Sequence, residues 1–314
     1  MGKIPVAAVV GPTATGKTRL AVALSLRFGG EVVSADSMQI YRGLPVGTAQ
    51  PAPAEMRGVP HHLVGFRDPA QPFSVADYVR LASRCIAEIR ARRRLPVVAG
   101  GTGLYVDSLL SNVRFAPDGK DAALRGELRR RAQAQGPESL AAELRSFDPQ
   151  SAGRIDPHNV SRLIRAIEIY RTTGVTMSAQ IARSKEAPPP YDVCRIGLAY
   201  RDRAKLYAAI DRRVDRMLGA GLAEEARRVL ALPDSATAAQ AIGYKEFAPY
   251  FRGERDLART AAEIKQRSRR YAKRQLTWFR RGKDVRWLYV DDFPDFDSLC
   301  ARAFRIVEEK GWRL

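Results

Sequence analysis

Cysteine is scarce in this 314-residue chain, with three widely separated residues, Cys85, Cys194 and Cys300. No CxxC pair occurs and no histidine lies near enough to complete a zinc site, so the thiols read as reduced and mostly buried, and a disulfide scaffold is excluded. Long hydrophobic runs are missing too. No stretch approaches the ~18 to 20 apolar residues of a membrane span, and the N-terminus leads into a short apolar segment and glycines instead of a signal peptide. A cytoplasmic protein without a membrane partner is expected. There are no internal repeats and no low-complexity tracts.

Acidic residues are outnumbered: 34 Asp and Glu face 53 Lys and Arg, a formal net charge of +19. This imbalance exceeds what solubility requires and points to a polyanionic partner, unless it reflects only an arginine-rich composition; the placement of the cations must decide. Hydrophobic residues at 45% and charged residues at 28% are ordinary for a folded chain and exclude a disordered, collagen-like or coiled-coil protein. The length suits one large α/β domain or a domain carrying an inserted second one.

Residues 4–10 form a short apolar run that stops at Gly11, and residues 19–28 carry Leu20, Leu24 and Phe28 at helical spacing. Residues 31–34 and 95–99 are further strand candidates, the second preceded by a helix with Ser74 as its N-cap and followed by Gly100 and Gly101. Strands alternating with helices predict a parallel sheet. The alternation stops after about residue 114. From Asp118 to residue 184 only helical periodicity is found: Leu124, Leu128 and Arg131, then Leu140 and Leu144, then Ile164, Ile167 and Tyr170. Asp148-Pro149 and Asp156-Pro157 each resemble an N-cap followed by proline at the first helical position. Pro188, Pro189 and Pro190 form a stiff exit, and residues 193–200 read as a strand rejoining the sheet. Helices at 202–218, 222–231 and 256–281, a strand at 287–290 and a helix ending near Glu309 complete the chain.

Gly11-Pro12-Thr13-Ala14-Thr15-Gly16-Lys17-Thr18 fits the phosphate-loop pattern between a predicted strand and helix, the context the pattern requires. Loop amides and the helix N-terminus converge there on phosphate oxygens, Lys17 adds a point charge, and the Thr18 hydroxyl can hold magnesium. The loop binds a di- or triphosphate, ATP included, without saying which. The predicted fold is thus α/β: a P-loop parallel-sheet core from residues 1–114 and 190–314 with an all-helical insertion over 115–189. An ATPase would place an acidic residue at the end of a following strand, but residues 95–99 run into Gly100-Gly101-Thr102, so hydrolysis is not favoured. The nearest carboxylate to a strand end is Asp36, which reads either as a loop cap or as a base or metal ligand.

Taken together, GPTATGKT at 11–18, ADSMQIYRGLPVGTAQP at 35–51, VVAGGTGLY at 97–105, RLIRAIEIY at 162–170, AIGYKE at 241–246 and KRQLTWFRR at 273–281 resemble the tRNA dimethylallyltransferases, the tRNA isopentenyltransferases of bacteria. The resemblance covers nearly the whole chain. It implies transfer of a dimethylallyl group from dimethylallyl diphosphate to the exocyclic amine of the adenosine 3′ of the anticodon. It also implies a P-loop core with a helical insertion that grips the anticodon stem-loop. By the same resemblance Asp36 acts on the amine, Thr102 touches the tRNA and helps position the diphosphate, and Arg213 reaches the diphosphate. Asp36, Ser37, Met38 and Gln39, Ser161, Arg162, Leu163, Ile164 and Arg165, and Ala241, Ile242, Gly243, Tyr244, Lys245 and Glu246 correspond to tRNA-contacting segments. Magnesium is the implied cofactor, and a monomer is expected.

A P-loop kinase of a small molecule or nucleotide shares the loop, the metal and the aspartate, and a nucleic-acid binder with a vestigial loop shares the charge. Neither accounts for the whole. His61-His62 read as structural, since adjacent strand residues point to opposite faces and no third ligand is evident. Lys265, Arg267, Arg269, Arg270, Lys273, Arg274, Arg280, Arg281, Lys283 and Arg286 stand against one acid, Asp284, between residues 264 and 286. Arg267, Arg270 and Arg274 share a helical face there, which predicts a rail for tRNA phosphates with Arg270 and Arg274 in contact.

Overall fold

A computed structural model describes residues 2–113, 115, 121–184, 186, 188–233, 236–282 and 284–313. Apolar residues run almost uninterrupted through the central strands, as strands covered on both faces require. Six strands, β1 (Ile4–Val10), β2 (Gly30–Ser34), β3 (His61–His62), β4 (Leu95–Gly100), β5 (Tyr191–Ala199) and β6 (Val285–Tyr289), form one sheet in the order β3-β2-β4-β1-β5-β6. Every pairing is parallel. One face is closed by the helices Lys17–Phe28 and Phe296–Glu308 through Leu20, Leu24, Leu299 and Ile306. The helices Val75–Ala91 and Gly103–Leu110 close the other through Tyr78, Ile86, Tyr105 and Leu109.

The order β2-β4-β1 has a direct consequence for function. The carboxyl ends of three neighbouring strands bring the phosphate loop after β1, Asp36 after β2 and Thr102 after β4 to one edge of the sheet, where α/β folds bind ligands.

Packing divides the chain into Met1–Leu110 with Pro190–Leu314, and Ser111–Pro189. The second unit contains the helices Ala122–Gln135, Glu138–Phe147, Val160–Thr173 and Met177–Ser184, with Leu128, Leu140, Leu144, Leu163 and Ile167 in its core. Arg114 and Asp118, near which the boundary was expected, lie outside the described residues. Asp148 caps as expected, accepting from the Ser151 amide at 3.0 Å with Pro149 in first helical position. Asp156 does not. Its carboxyl accepts from the His158 amide at 2.9 Å in a turn, and Asn159 caps the helix instead, accepting from the Arg162 amide at 3.2 Å. The two histidines are structural: His62 Nε2 lies 2.7 Å from the buried Glu31 carboxyl and His61 Nδ1 2.8 Å from the Val59 carbonyl.

Candidate active site

The loop after β1 is shaped by steric necessity. Gly11 has φ 137°, and a Cβ there would lie 2.3 Å from the Leu198 carbonyl oxygen of β5, so only glycine fits. Ala14 (φ 64°) and Gly16 (φ 85°) turn the chain through the left-handed region into the helix starting at Lys17. The amides of that first turn point out of the helix end, an arrangement that can hold an anion. Lys17 Nζ donates to the Pro12 carbonyl at 2.6 Å and the Thr15 hydroxyl to the same oxygen at 2.9 Å, which pulls the loop into a tight arch.

The loops after β2 and β4 are stitched together. A Cβ on Gly100 would sit 2.2 Å from the Ala35 carbonyl oxygen. That approach lets the Ala35 amide donate to Ala99 O at 2.8 Å and the Thr102 amide to Ala35 O at 3.2 Å. Just beyond, Asp36 Oδ1 accepts from the amides of Met38 and Gln39 at 2.9 and 3.4 Å, and the Thr102 hydroxyl accepts from the Ser37 amide at 3.0 Å. Asp36 therefore does cap its turn, with one oxygen. It also lines a cavity of about 580 Å³ shared with Lys17, Thr18 and Arg213.

Arg213 stands on the helix Arg203–Gly219 and has no ion pair among the described residues. Burial holds its guanidinium below its ordinary pKa, opposed by the charge of Asp36. Lys17 is pulled down to about 7, first by burial, then by the Arg213 charge, with Asp36 acting the other way. Two basic side chains therefore stand at one cavity wall, and a nearby anion would favour the charged form of both.

Of the expected site residues, Thr13, Ala14, Gly16, Lys17, Thr18, Asp36, Ser37, Met38, Gln39, Arg213, Ala241, Ile242, Gly243, Lys245 and Arg274 line this cavity. Gly11, Pro12 and Thr15 are buried beneath the loop. Thr102 holds Ser37 in place behind the wall. Tyr244 and Glu246 are core residues: the Tyr244 hydroxyl donates to Glu225 Oε1 at 2.7 Å, and Glu246 Oε2 accepts from the Gly243 amide at 2.8 Å. Their side chains shape the segment from inside. In the helical unit Ser161 and Arg162 are exposed, Leu163 and Ile164 are buried in its core, and Arg165 donates to the buried Glu168 at 2.8 Å.

The basic helix, Leu257–Phe279, sorts its cations into two groups. Lys265 pairs with Asp215 at 2.6 Å, Arg267 with Glu263 at 2.6 Å and Glu246 at 3.3 Å, and Arg269 with Asp211 at 2.7 Å. Arg267 is thus neutralised and leaves the expected rail. Arg270, Lys273 and Arg274 are exposed with no paired carboxylate among the described residues, and Arg274 stacks over Tyr271 at 5.5 Å. Lys283 lies outside the described residues. Sequence reasoning missed two buried side chains that organise the cavity. Glu225 accepts from the amides of Val46 and Gly47 at 3.0 and 2.6 Å as well as from Tyr244. Gln275 reaches the phosphate loop itself, accepting from the Thr13 amide at 2.9 Å.

Comparison with known proteins bears on this arrangement. The family model described as IPP transferase matches residues 39–282, and one described as isopentenyl transferase matches residues 4–66. A tRNA dimethylallyltransferase of Geobacillus kaustophilus is 47% identical, with 97% of this chain and 96% of the relative covered. The chain belongs to the tRNA dimethylallyltransferase family. Among solved structures of the family, the full-length tRNA isopentenylpyrophosphate transferase of Bacillus halodurans is 42% identical with a TM-score of 0.72 over 98% of each chain. A eukaryotic dimethylallyltransferase acting on tRNA is 27% identical with a TM-score of 0.82, over 96% of this chain and 77% of its own. The α/β, P-loop architecture is that of this family. No described helix is long and apolar enough to cross a membrane.

Proposed function

We propose that this chain transfers the dimethylallyl group of dimethylallyl diphosphate to the exocyclic amine of the adenosine 3′ of the tRNA anticodon, releasing diphosphate. The observation that carries the reading is a single cavity lined by Lys17, Arg213 and Asp36, beside a β4 that ends in glycines without a carboxylate. In this reaction the amine nitrogen forms a bond to the allylic carbon, the carbon–oxygen bond to diphosphate breaks, and the amine proton leaves to a base. Negative charge therefore builds on the departing diphosphate, where the loop amides, Lys17 and Arg213 stabilise it. Activation of water would be a side reaction, which suits the glycine end of β4. Two amides hold Oδ1 of Asp36, which leaves Oδ2 as the oxygen that takes the amine proton in this reading.

Magnesium fits the same site. Thr18 lines the cavity and nothing among the described residues hydrogen-bonds its hydroxyl, while no described cluster of three or more His, Cys, Asp or Glu side chains exists to hold a resident ion. A diphosphate-bound magnesium ion would take Thr18 as a protein ligand and supply neutralisation of leaving-group charge. For the tRNA, exposed Arg270, Lys273 and Arg274 offer phosphate contacts, and Ser161 and Arg162 are available on the helical unit.

Purified protein should release pyrophosphate from dimethylallyl diphosphate only when tRNA is present. Steady turnover of ATP with a small hydroxyl compound, and none with dimethylallyl diphosphate and tRNA, would establish a kinase instead.

A further inference from the structure

Gln275, about one turn from the C-terminal end of the basic helix, is only 5% exposed, and its side chain spans two loops. Its Oε1 accepts from the Thr13 amide of the phosphate loop at 2.9 Å, and its Nε2 donates to the Gly101 carbonyl after β4 at 2.9 Å. A Cβ on Gly101 would lie 2.2 Å from that Nε2, so the glycine admits the contact. Thr13 needs an acceptor and Gly101 a donor. Among side chains of this length only an amide provides both: a carboxylate accepts without donating, a lysine donates without accepting, and a leucine does neither.

We propose that Gln275 is a positioning residue for prenyl transfer, fixing the phosphate loop against Gly101-Thr102 so that the diphosphate and the acceptor amine meet in register; this rests on the proposed function. The Thr13 amide is committed to Gln275, so phosphate is met by amides further along the loop, toward Lys17. One turn earlier on the same face, Tyr271 lies beside Thr102 and Asp36. Arg274, the next residue before Gln275, is on the cavity wall. The helix that presents free cations to tRNA thus also holds both loops that present the diphosphate.

The test uses inorganic pyrophosphate with magnesium as the probe and compares the parent with Gln275→Leu and Gln275→Glu. Gln275→Leu should weaken pyrophosphate binding about tenfold or more, the loss of one buried and one part-buried hydrogen bond, with tRNA affinity within about twofold of the parent. Gln275→Glu should be similarly weak at about pH 8, where its carboxylate cannot donate to Gly101. Burial at this position raises the introduced carboxyl above its ordinary range, so as the pH falls toward about 5 its protonated form again accepts and donates, and the ratio of variant to parent affinity should recover toward one. Loss of the carboxylate charge alone would restore the ratio only to the Gln275→Leu level, so recovery beyond that level reports the two hydrogen bonds. A ratio independent of pH, or equal loss of pyrophosphate and tRNA affinity, would mean that Gln275 merely stabilises its helix. If Gln275→Leu does not fold, Gln275→Met, which keeps the length but cannot donate to Gly101, sets that reference level instead. Parental affinities and prenyl-transfer rates in both variants would overturn this inference and leave the proposed function standing. The expected pyrophosphate behaviour without any prenyl transfer by the parent would overturn the proposed function and leave the loop assignment.

Discussion

Lys17 and Arg213 share one cavity wall, and the Arg213 charge joins burial in bringing the Lys17 ammonium down to about 7. A bound diphosphate reverses the balance by favouring the charged form of Lys17. Binding should therefore take up protons above about pH 7, and affinity should fall as the pH rises from there toward 9. Calorimetric titration in buffers of different ionisation heat measures the uptake directly, and Lys17→Met should abolish it. The sign for folding is opposite: the unfolded chain, with Lys17 near its ordinary 10.5, holds more protons over that interval, so this group makes stability rise with pH between about 7 and 10.5. Pyrophosphate binding without proton uptake would contradict the assignment.

Arg274 and Arg269 stand on the same helix but face different partners. Among the described residues Arg274 and Arg270 have no paired carboxylate, whereas Arg269 is held by Asp211 at 2.7 Å. Phosphate contacts release counterions, so the log-log salt dependence of tRNA affinity should carry about −0.7 to −0.9 per contact. Arg270→Ala or Arg274→Ala should weaken tRNA binding and flatten that slope by about one unit, with little change in diphosphate affinity. Arg269→Ala should leave the slope alone. If Arg269→Ala flattens it as much as Arg274→Ala does, the sorting of cations described here is wrong.

Glu225 is the common acceptor for two separate segments, the Val46 and Gly47 amides and the Tyr244 hydroxyl. Glu225→Ala would leave the buried Tyr244 hydroxyl and two part-buried amides without their acceptor, at ~1 to 3 kcal/mol for the buried donor and less for the others, so unfolding in urea should show a loss of about 2 kcal/mol or more. Glu225→Gln keeps the volume and one acceptor oxygen and should lose less. A midpoint unchanged by Glu225→Ala would contradict the arrangement.

The local features of the site were legible because they are contiguous. The glycine-lysine string and its flanking strand and helix identify the phosphate loop, and Asp36 follows a strand by two residues. Arg213 was legible only through resemblance, since on its own it reads as a solvated helix charge. Gln275 and Glu225 were not legible: their partners lie 262 and 178 residues away, and no periodicity marks a side chain that bonds the backbone of a distant loop. The same limit applies to the basic helix, where Asp211, Asp215 and Glu246, which pair with Arg269, Lys265 and Arg267, come from other segments. Asp156 misled because an Asx turn and an N-cap use the same side chain in the same way, and the capping asparagine lay three residues on. Strand β3, two residues long, is too short for alternation to register.

The central claim is that Asp36 and the phosphate loop act on tRNA within one cavity. Its most direct test is mass analysis of tRNA nucleosides after a single turnover with dimethylallyl diphosphate, run in parallel for the parent and Asp36→Asn. The parent should add one prenyl group to an adenosine of the anticodon-loop fragment. Asp36→Asn should do so ~10² to 10⁴ times more slowly while binding tRNA within a few-fold of the parent. No prenyl gain with the parent, or transfer at equal rates by both proteins, would contradict the account.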